Sequence, residues 1–385
     1  MDVGATLGQF ADGDALTAAQ RRVVADLSSC RTAALGGRLE QCSACGRQEY
    51  HYNSCRNRHC PRCQGSRRAT WLEREVGYLL PVEYHHVVFT LPAALAELAR
   101  RRPRLVYGLL LSASSAAVLE LAADPKYLGA QVGLVSMLHT WGQTLTLHPH
   151  VHVLVTGGGL SCNRAGVVDE EPRWRSCRAG FFLPVRVLSR LFRGQFVAGL
   201  RAALEQEPLV AGVGPWSTAS LSSWLSSLYE SEWVVYSQPP AAGAEVVLKY
   251  LARYVHRVAI GNSRLLEVTE QTVTFSYKDY RQKGRQREMA LSGEEFVHRF
   301  VQHVLPRGFV RVRHYGLLSN RGRAAKLATC RRLLDVTVRM LVAAVSAVVP
   351  PRCCGVCGEG LMVLVQLLPR AERGGVVLVV GEDSS

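Results

Sequence analysis

The sequence predicts a mixed α/β or α+β protein in which a small cysteine-rich module precedes a larger domain. Six of the twelve cysteines fall between Cys30 and Cys63, in a stretch with little periodicity, as in a small fold organised by metal. From about residue 69 to 290, helix-like stretches alternate with apolar stretches of strand length. At 385 residues, the chain is long enough for two or three domains.

Composition and charge restrict the class of protein. The hydrophobic fraction of 48% excludes a largely disordered chain. No stretch reaches the ~18 uncharged apolar residues of a spanning helix, and the N-terminus lacks the basic and apolar regions of a secretory signal. We therefore expect a cytoplasmic protein without membrane contact. The net charge of +15 is compatible with a nucleic-acid partner but does not establish one.

The predicted elements follow from apolar periodicity and from the positions of proline and glycine. Strand 86–92 is stopped by proline, and strand 144–156 is ended by three glycines at 157–159. A further strand is predicted at 273–277. The predicted helices lie within 1–35 and at 104–122, 185–204, 218–230, 244–257, 293–304 and 324–347.

Two Cys-x-x-Cys pairs, fourteen residues apart, predict one tetrahedral Zn²⁺ site, because each pair forms a knuckle whose thiolates converge. The four predicted ligands are Cys42, Cys45, Cys60 and Cys63. Four ligands leave no position for a substrate, so this zinc is expected to be structural. Cys55 and His59 remain, together with Cys30, as ligands for part of a second site.

Arginines surround these cysteines and suit contacts to phosphate. They are Arg47, Arg56, Arg58, Arg62, Arg67 and Arg68. This shell favours DNA as the partner over a zinc-stapled protein-interaction module, which would be less uniformly basic.

Three histidines at alternate positions of a predicted strand, His148, His150 and His152, point to one face, and valines alternate on the other. Two neutral imidazoles and an oxygen ligand make a divalent-metal site with open positions. Pro149 places His148 at the beginning of the strand, so His150 and His152 form the firmer pair. Gln143 could supply the oxygen if the chain folds back on itself.

The predicted helix near residue 250 places Tyr250 and Tyr254 on one face, which Arg257 continues one turn later. Lys249 and Arg253 form an adjacent basic stripe. Two tyrosines at this spacing more often pack in a core. A tyrosine hydroxyl, with a pKa near ~10, becomes a useful nucleophile where a metal polarises a phosphate and cations stabilise the developing charge.

In combination, these residues resemble the HUH (His–hydrophobic–His) nucleases, and more narrowly the two-tyrosine rolling-circle transposases of the insertion sequence ninety-one type, with their N-terminal transposase zinc-binding domain. The segments that carry the resemblance are 52–61, 87–92, 147–152, 249–257 and 305–316. Their occurrence in this order is specific, whereas each short motif alone is weak.

The resemblance implies an α+β fold with a small N-terminal zinc-binding module, followed by an HUH-type antiparallel sheet domain with helices packed on it. It implies an N-terminal helix and zinc-binding domain at 1–70, an HUH endonuclease and transposase domain at 71–290, and a basic helical region with a degenerate cysteine cluster at 291–385. Arg38 stands where the family often has histidine, which argues against a second zinc site that uses Cys30.

The resemblance also implies a mechanism. His150 and His152, with Gln143 or His148, hold Mg²⁺ or Mn²⁺ against a phosphate of single-stranded DNA, at element ends and target. One tyrosine attacks and forms a 5′-phosphotyrosine, and the second acts on another strand. No nucleotide cofactor is implied, and the sequence contains no phosphate-binding G-x-x-x-x-G-K-[ST] loop. The implied DNA contacts are Lys249, Arg253, Arg257, Arg56, Arg58 and Arg62. The expected location is the bacterial cytoplasm, at the nucleoid.

Two other functions fit parts of the pattern. A replication initiator or conjugative relaxase would use the same chemistry, although the zinc region favours a transposase. A non-catalytic, zinc-dependent DNA-binding regulator would use the histidine strand as a structural metal site.

The C-terminal end carries no functional expectation. Cys353, Cys354 and Cys357 look like half of a knuckle without an evident partner pair. The apolar stretches that follow, 361–368 and 374–381, have no regular pattern.

Overall fold

The computed structural model describes residues 1–178, 183–206, 218–241, 257–335 and 352–371. Within these residues it confirms the α+β class, because helices accompany strands that pair antiparallel in three sheets. The chain divides into two compact units. The first contains Met1–Arg67, Ile260–Val301 and Val345–Ser385, and the second contains Arg68–Ala259 and Gln302–Ala344. The chain thus returns to the first unit twice, and the domain boundaries expected at 70 and 290 stay a prediction.

In the described residues, the helices are α1 (Val3–Phe10), α2 (Ala18–Ser28), α3 (Gln64–Val76), α4 (Ala96–Arg101), α5 (Pro103–Ala123), α6 (Val185–Gln206), α7 (Thr218–Ser227), α8 (Gly293–Val301) and α9 (Arg323–Leu333). The strands are β1 (Gly37–Cys42), β2 (Gln48–Tyr52), β3 (Tyr84–Thr90), β4 (Ala130–Trp141), β5 (Leu147–Ser161), β6 (Trp174–Ser176), β7 (Val235–Ala241), β8 (Leu265–Val268), β9 (Thr272–Asp279), β10 (Arg285–Ser292), β11 (Val312–Gly316) and β12 (Met362–Leu368).

The second unit is built on a six-stranded antiparallel sheet of order β11-β4-β5-β3-β7, with β6 paired to β5. Side chains alternate along β5, so Val151, Val153 and Val155 enter the core formed with α5 and α6. Leu154 points to the opposite face, where Leu327 of α9 packs. Helices therefore cover both faces, and the predicted valine face of the histidine strand is confirmed.

Helix α5 is the central helix of this core. By length and composition alone it could cross a membrane, but most of its apolar window is buried inside the protein. Its residues pack against the sheet and against α6. Packing within the protein therefore accounts for its apolar character.

Strand β5 runs through the three glycines that were predicted to end it. Gly158 and Gly159 pair with Ser176 and Arg175 of β6, and Gly159 also pairs with β4. A Cβ atom at Gly159 would collide with the carbonyl oxygen of Gln131. The glycines thus permit close approach of neighbouring backbones, and the prediction of a strand end at 156 was wrong.

The first unit contains two three-stranded sheets, β12-β1-β2 and β10-β9-β8. The C-terminal strand β12 pairs with β1 from Gly37 opposite Leu368 to Cys42 opposite Met362. The apolar stretch at 361–368 therefore has a structural role that its irregular pattern did not reveal. Phe275 of β9 packs with Phe296 of α8, their ring centroids 6.1 Å apart, beneath the second sheet.

We predict that Gly159→Ala destabilises the second unit by about 1–3 kcal/mol, the usual cost of overpacking a tight site. Chemical denaturation followed by circular dichroism measures this loss. Gly194→Ala is the control, because a Cβ at this position in α6 meets no other atom within 4 Å. The helical alanine should leave stability equal or slightly raised. Equal effects of the two substitutions would contradict the packing argument.

Candidate metal centre

Three histidines from adjacent strands converge at one end of the large sheet. His139 of β4 lies directly opposite His150 of β5 in the antiparallel register. His152 lies two positions along the same face of β5. Each of the three side chains offers a nitrogen within 4.8 Å of the other two. The arrangement brings three imidazole donors toward a common point.

Hydrogen bonds determine which nitrogen of His152 is available. Gln238 Oε1 accepts from His86 Nδ1 at 2.9 Å, which leaves His86 Nε2 as an acceptor in the neutral ring. His152 Nδ1 therefore donates to His86 Nε2 at 2.9 Å. The lone pair of His152 lies on Nε2. A hydrogen-bonded partner of this kind orients metal-binding histidines and increases their basicity.

The second histidine of the motif is oriented by the backbone. His150 Nδ1 donates to the carbonyl oxygen of His148 at 2.7 Å, so its lone pair also lies on Nε2. Burial lowers the pKa of His150 to about 4 and holds the pKa of His152 well below its usual range. Both rings are therefore neutral near pH 7, the form that binds a metal.

The third imidazole differs from the ligands expected from the sequence. His139 joins the group, whereas His148 does not, although its ring lies 5.3 Å from that of His150. Gln143 lies in the turn between β4 and β5, and its ligand role stays a prediction. His139 was missed because no strand was predicted at 130–141. The signal was the short turn at 142–146, which places His139 opposite His150 in a hairpin.

His303 holds the turn that sets this register. Its Nε2 donates to the carbonyl oxygen of Leu145 at 3.1 Å, and its Nδ1 accepts from the Thr140 hydroxyl at 3.2 Å. Leu145 has a φ of 60°, a conformation that non-glycine residues seldom adopt. Burial lowers the pKa of His303 to about 4, which keeps the ring neutral and able to make both bonds.

Arg257 brings positive charge to the histidines. It is exposed, and its charge helps to lower the pKa of both His150 and His152. The guanidinium of Arg311 donates to the carbonyl oxygen of Arg257 at 3.3 Å, which fixes this end of the segment. The rest of the predicted tyrosine helix lies outside the described residues, with Lys249, Tyr250, Arg253 and Tyr254.

The cysteines form two groups, and these divide the four ligands that were predicted to share one site. The first group contains Cys30, Cys55, Cys60 and Cys63. Cys63 Sγ lies 3.6 Å from the sulfurs of Cys30 and Cys55. Among the described residues this group does not include His59. Cys30 is thus a member despite the arginine at position 38.

The knuckle of Cys42 and Cys45 joins the C-terminal cysteines instead of the pair at 60 and 63. The second group contains Cys42, Cys45, Cys354 and Cys357. Four sulfurs at the usual ~2.3 Å from one Zn²⁺ lie about 3.8 Å apart. The sulfur separations of 3.5–3.6 Å in the first group fit this geometry.

The arginines near these cysteines have different environments. Arg62 pairs with Asp2 at 2.8 Å and donates to the carbonyl oxygen of Cys30 at 2.6 Å, so it stabilises the first cysteine group. Arg56 is exposed and has a positive φ of 55°. Arg58 is half-buried. The predicted DNA contacts of these three residues stay predictions, and Arg62 has a structural role besides.

Two families of known proteins match this chain, one in its N-terminal segment and one in the region that contains the histidines. Residues 4–91 match the family described as transposase zinc-binding domain, and residues 133–326 match a family described as putative transposase. A putative transposase of Sinorhizobium fredii is 48% identical over 84% of this chain and 80% of its own length. The chain is a transposase of the insertion sequence ninety-one family. Its zinc is structural, since the first cysteine group lies within the matched zinc-binding domain and four thiolates leave no open position.

A more distant relative agrees with this assignment. The transposase for insertion sequence element IS801, from Pseudomonas savastanoi pv. phaseolicola, is 29% identical to this transposase. The alignment covers 77% of this chain and 70% of the relative. No solved structure matches the transposase.

We predict that His139→Ala removes most metal binding from the histidine site, whereas His148→Ala retains it. The first change deletes one of three converging nitrogens, and the second leaves the carbonyl that orients His150 intact. Titration of Mn²⁺ into both variants, followed by electron paramagnetic resonance, measures the free ion. Stronger loss in the His148 variant would show that the sequence-based ligand was right.

A change further from the site tests the orienting hydrogen bond. His86→Ala should weaken Mn²⁺ binding by about 10–100-fold, as loss of a ligand's hydrogen-bond partner usually does. The same titration reports it. Affinity equal to that of the unchanged transposase would contradict the role given to His86.

The stability of the transposase should fall as the pH is lowered from about 6.5 to about 4. His303 has an ordinary pKa of 6.5 when unfolded and about 4 when folded, so in this window the unfolded chain binds more protons. This difference in pKa should lower the free energy of unfolding at pH 4 by roughly 3 kcal/mol relative to neutral pH. His303→Gln cannot titrate, and its urea midpoint should therefore depend less steeply on pH. If the urea midpoint of the glutamine variant depended on pH as steeply as that of the unchanged protein, His303 would not contribute to the loss of stability in acid.

Proposed function

We propose that this transposase cleaves and rejoins single-stranded DNA through a 5′-phosphotyrosine intermediate. The observation that carries the proposal is the group of three converging imidazoles beside Arg257, of which His150 and His152 are kept neutral by burial. An open site of nitrogen donors next to a cation suits an anionic substrate such as a phosphodiester.

The donor set fits a divalent cation. His139, His150 and His152 would hold it, and when bound it would withdraw charge from the non-bridging oxygens of the scissile phosphate. Of the two expected ions, Mn²⁺ suits imidazole better than Mg²⁺, which prefers oxygen ligands. His86 and Gln238 keep the ring of His152 oriented through their chain of hydrogen bonds.

We propose Tyr250 and Tyr254 as nucleophiles because of their position in the sequence. Tyr254 precedes Arg257 by three residues, and a chain extends by at most about 3.6 Å per residue. Arg257 is close enough to the histidines to alter their pKa. This short connection supports a tyrosine acting at the same phosphate.

The proposed reaction exchanges one phosphodiester for another. The tyrosine oxygen forms a bond to phosphorus, and the bond between phosphorus and the 3′-oxygen breaks. The phenol loses its proton, and the released 3′-oxygen gains one to become a 3′-hydroxyl. The second tyrosine then acts on another strand. Because the phosphoester is conserved, rejoining needs no ATP. Arg257, together with Lys249 and Arg253, would stabilise the charge that develops on phosphate and phenolate.

We expect Tyr250→Phe and Tyr254→Phe each to impair a different step, and the double variant to form no covalent adduct. The assay incubates a labelled single-stranded element end with the full chain and Mn²⁺ and reads the adduct on a denaturing gel. Tyr229→Phe is the control, since this exposed tyrosine packs under the guanidinium of Arg193 and is not one of the proposed nucleophiles. Adduct formation by the double variant would reject the tyrosine mechanism.

Dependence of DNA nicking on the metal site distinguishes a nuclease from a non-catalytic DNA-binding regulator. His150→Ala with His152→Ala should abolish nicking while leaving binding of the oligonucleotide within a few-fold, because the exposed cations are retained. Nicking by that variant would exclude the histidine site from the reaction. Absence of Mn²⁺-dependent nicking in the unchanged transposase would favour the regulator.

A further inference from the structure

The thiols of the second cysteine group come from opposite ends of the chain. Cys42 Sγ lies 3.6 Å from Cys357 Sγ, and Cys45 Sγ lies 3.8 Å from Cys354 Sγ. A disulfide requires about 2.05 Å, so these sulfurs are not bonded to one another. The separations match the ~3.8 Å between ligands of a tetrahedral zinc ion.

The two knuckles of this group are built alike. Each has the pattern Cys-x-x-Cys-Gly, and the glycines, Gly46 and Gly358, have φ values of 71° and 73°. Backbone N–H groups also point at the sulfurs. Ala44 donates to Cys42 Sγ at 3.4 Å, and Gly360 donates to Cys357 Sγ at 3.5 Å. Such bonds stabilise thiolates, the form of cysteine that binds metal.

Backbone contacts bring the knuckles together independently of the sulfurs. Ser43 N donates to the carbonyl oxygen of Leu361 at 3.0 Å, and Leu361 N donates to Ser43 Oγ at 3.0 Å. A Cβ at Gly360 would collide with Cys42 Sγ, so only glycine allows this approach. Pairing of β12 with β1 continues the same contact.

We propose that Cys42, Cys45, Cys354 and Cys357 bind a second zinc ion. Each thiol loses its proton as the ion binds, and four thiolates close the coordination sphere. The site links residues 309 and 315 positions apart and holds β12 along β1. The zinc-binding unit is therefore completed by the C-terminal segment, beyond the N-terminal residues 4–91 of the matched domain.

The zinc content of the full chain tests this proposal. Because the three imidazoles of the histidine site can also bind zinc, every protein in this test carries His150→Ala and His152→Ala. Protein with all cysteines present should then contain two zinc ions per chain by elemental analysis and native mass spectrometry. Cys354→Ser with Cys357→Ser should contain one. Cys353→Ser should retain two, because Cys353 neighbours the knuckle but lies outside the group. One zinc ion in the protein with all cysteines present, or two in the protein with both serines, would overturn the proposal.

A conservative variant keeps the test decisive if the double serine variant does not fold. Cys357→His should retain two ions, since histidine is also a zinc ligand. In protein loaded with Co²⁺, its visible absorption should shift to shorter wavelength as one of eight thiolates becomes an imidazole. A spectrum identical to that of the unchanged chain would show that Cys357 does not bind the metal.

The hairpin of β9 and β10 carries a separate exposed surface. Its turn region, residues 278–287, contains five cations and one carboxylate, and all five cations are exposed. They are Lys278, Arg281, Lys283, Arg285 and Arg287. Tyr280 lies at the turn with 70% of its surface exposed. Asp279 is already engaged, since it accepts from Arg287 at 3.3 Å and from the backbone N–H of Arg281.

The geometry points to this hairpin as a contact for single-stranded DNA, which is consistent with DNA as the partner of a transposase. Clustered cations form ion pairs with successive phosphates of a strand, and an exposed aromatic ring stacks on unpaired bases. A hairpin that bound a protein surface would not need this excess of one charge. The proposal concerns binding alone and does not require either nucleophilic tyrosine.

Binding to a fluorescent oligodeoxythymidine without Mn²⁺ tests the hairpin. Arg281→Gln with Lys283→Gln should make the slope of log K against log salt concentration shallower by about 1.4, or ~0.7 for each lost phosphate contact. Tyr280→Ala should weaken binding by about 5- to 100-fold, and Tyr280→Phe should restore it. Arg164→Gln, an exposed cation outside the hairpin, is the control. An unchanged slope, or equal loss in the alanine and phenylalanine variants, would overturn this inference even if cleavage proceeds as proposed.

Discussion

The antiparallel register of β4 and β5 is the constraint on which the histidine site depends. Because side chains alternate along a strand, this register places His139, His150 and His152 on one face and fully buried valines on the other. A slip of one residue would turn the imidazoles into the valine core and expose the valines, each worth about 1.5–3 kcal/mol of burial. The hydrophobic core therefore specifies the position of the polar site.

Burial and hydrogen bonding then prepare the imidazoles for a metal. Removal from water disfavours the imidazolium form of His150 and His152. The carbonyl oxygen of His148 and Nε2 of His86 accept hydrogen bonds from the Nδ1–H groups of His150 and His152. The lone pair of each ligand ring therefore lies on its Nε2. Neither effect suffices alone, since a neutral ring in the other tautomer would present a proton to the metal.

Local periodicity accounts for what the sequence predicted well. Helices at 104–122 and 185–204 lie within two residues of α5 and α6, and the valine face of β5 was recovered from strict alternation. His139 was missed because β4 is buried on both faces and shows no alternation. The cysteine pairs were assigned by nearness in sequence, whereas the partners of Cys42 and Cys45 lie more than 300 residues away. The pattern of residues around each cysteine pair does not indicate which distant pair it joins.

The two kinds of metal site also differ in what decides their occupancy. Tetrathiolate groups match zinc in ligand type and geometry, and they leave no open position. Three imidazoles bind zinc more tightly than Mn²⁺ as well, because affinity at nitrogen sites rises along the first-row series. In the mechanism proposed above, occupancy of the histidine site by Mn²⁺ or Mg²⁺ would therefore depend on which ion is available in the cell and on the phosphate oxygens that the DNA contributes. In that mechanism, binding of the DNA and selection of the metal would be coupled, because the phosphate oxygens are themselves ligands of the metal.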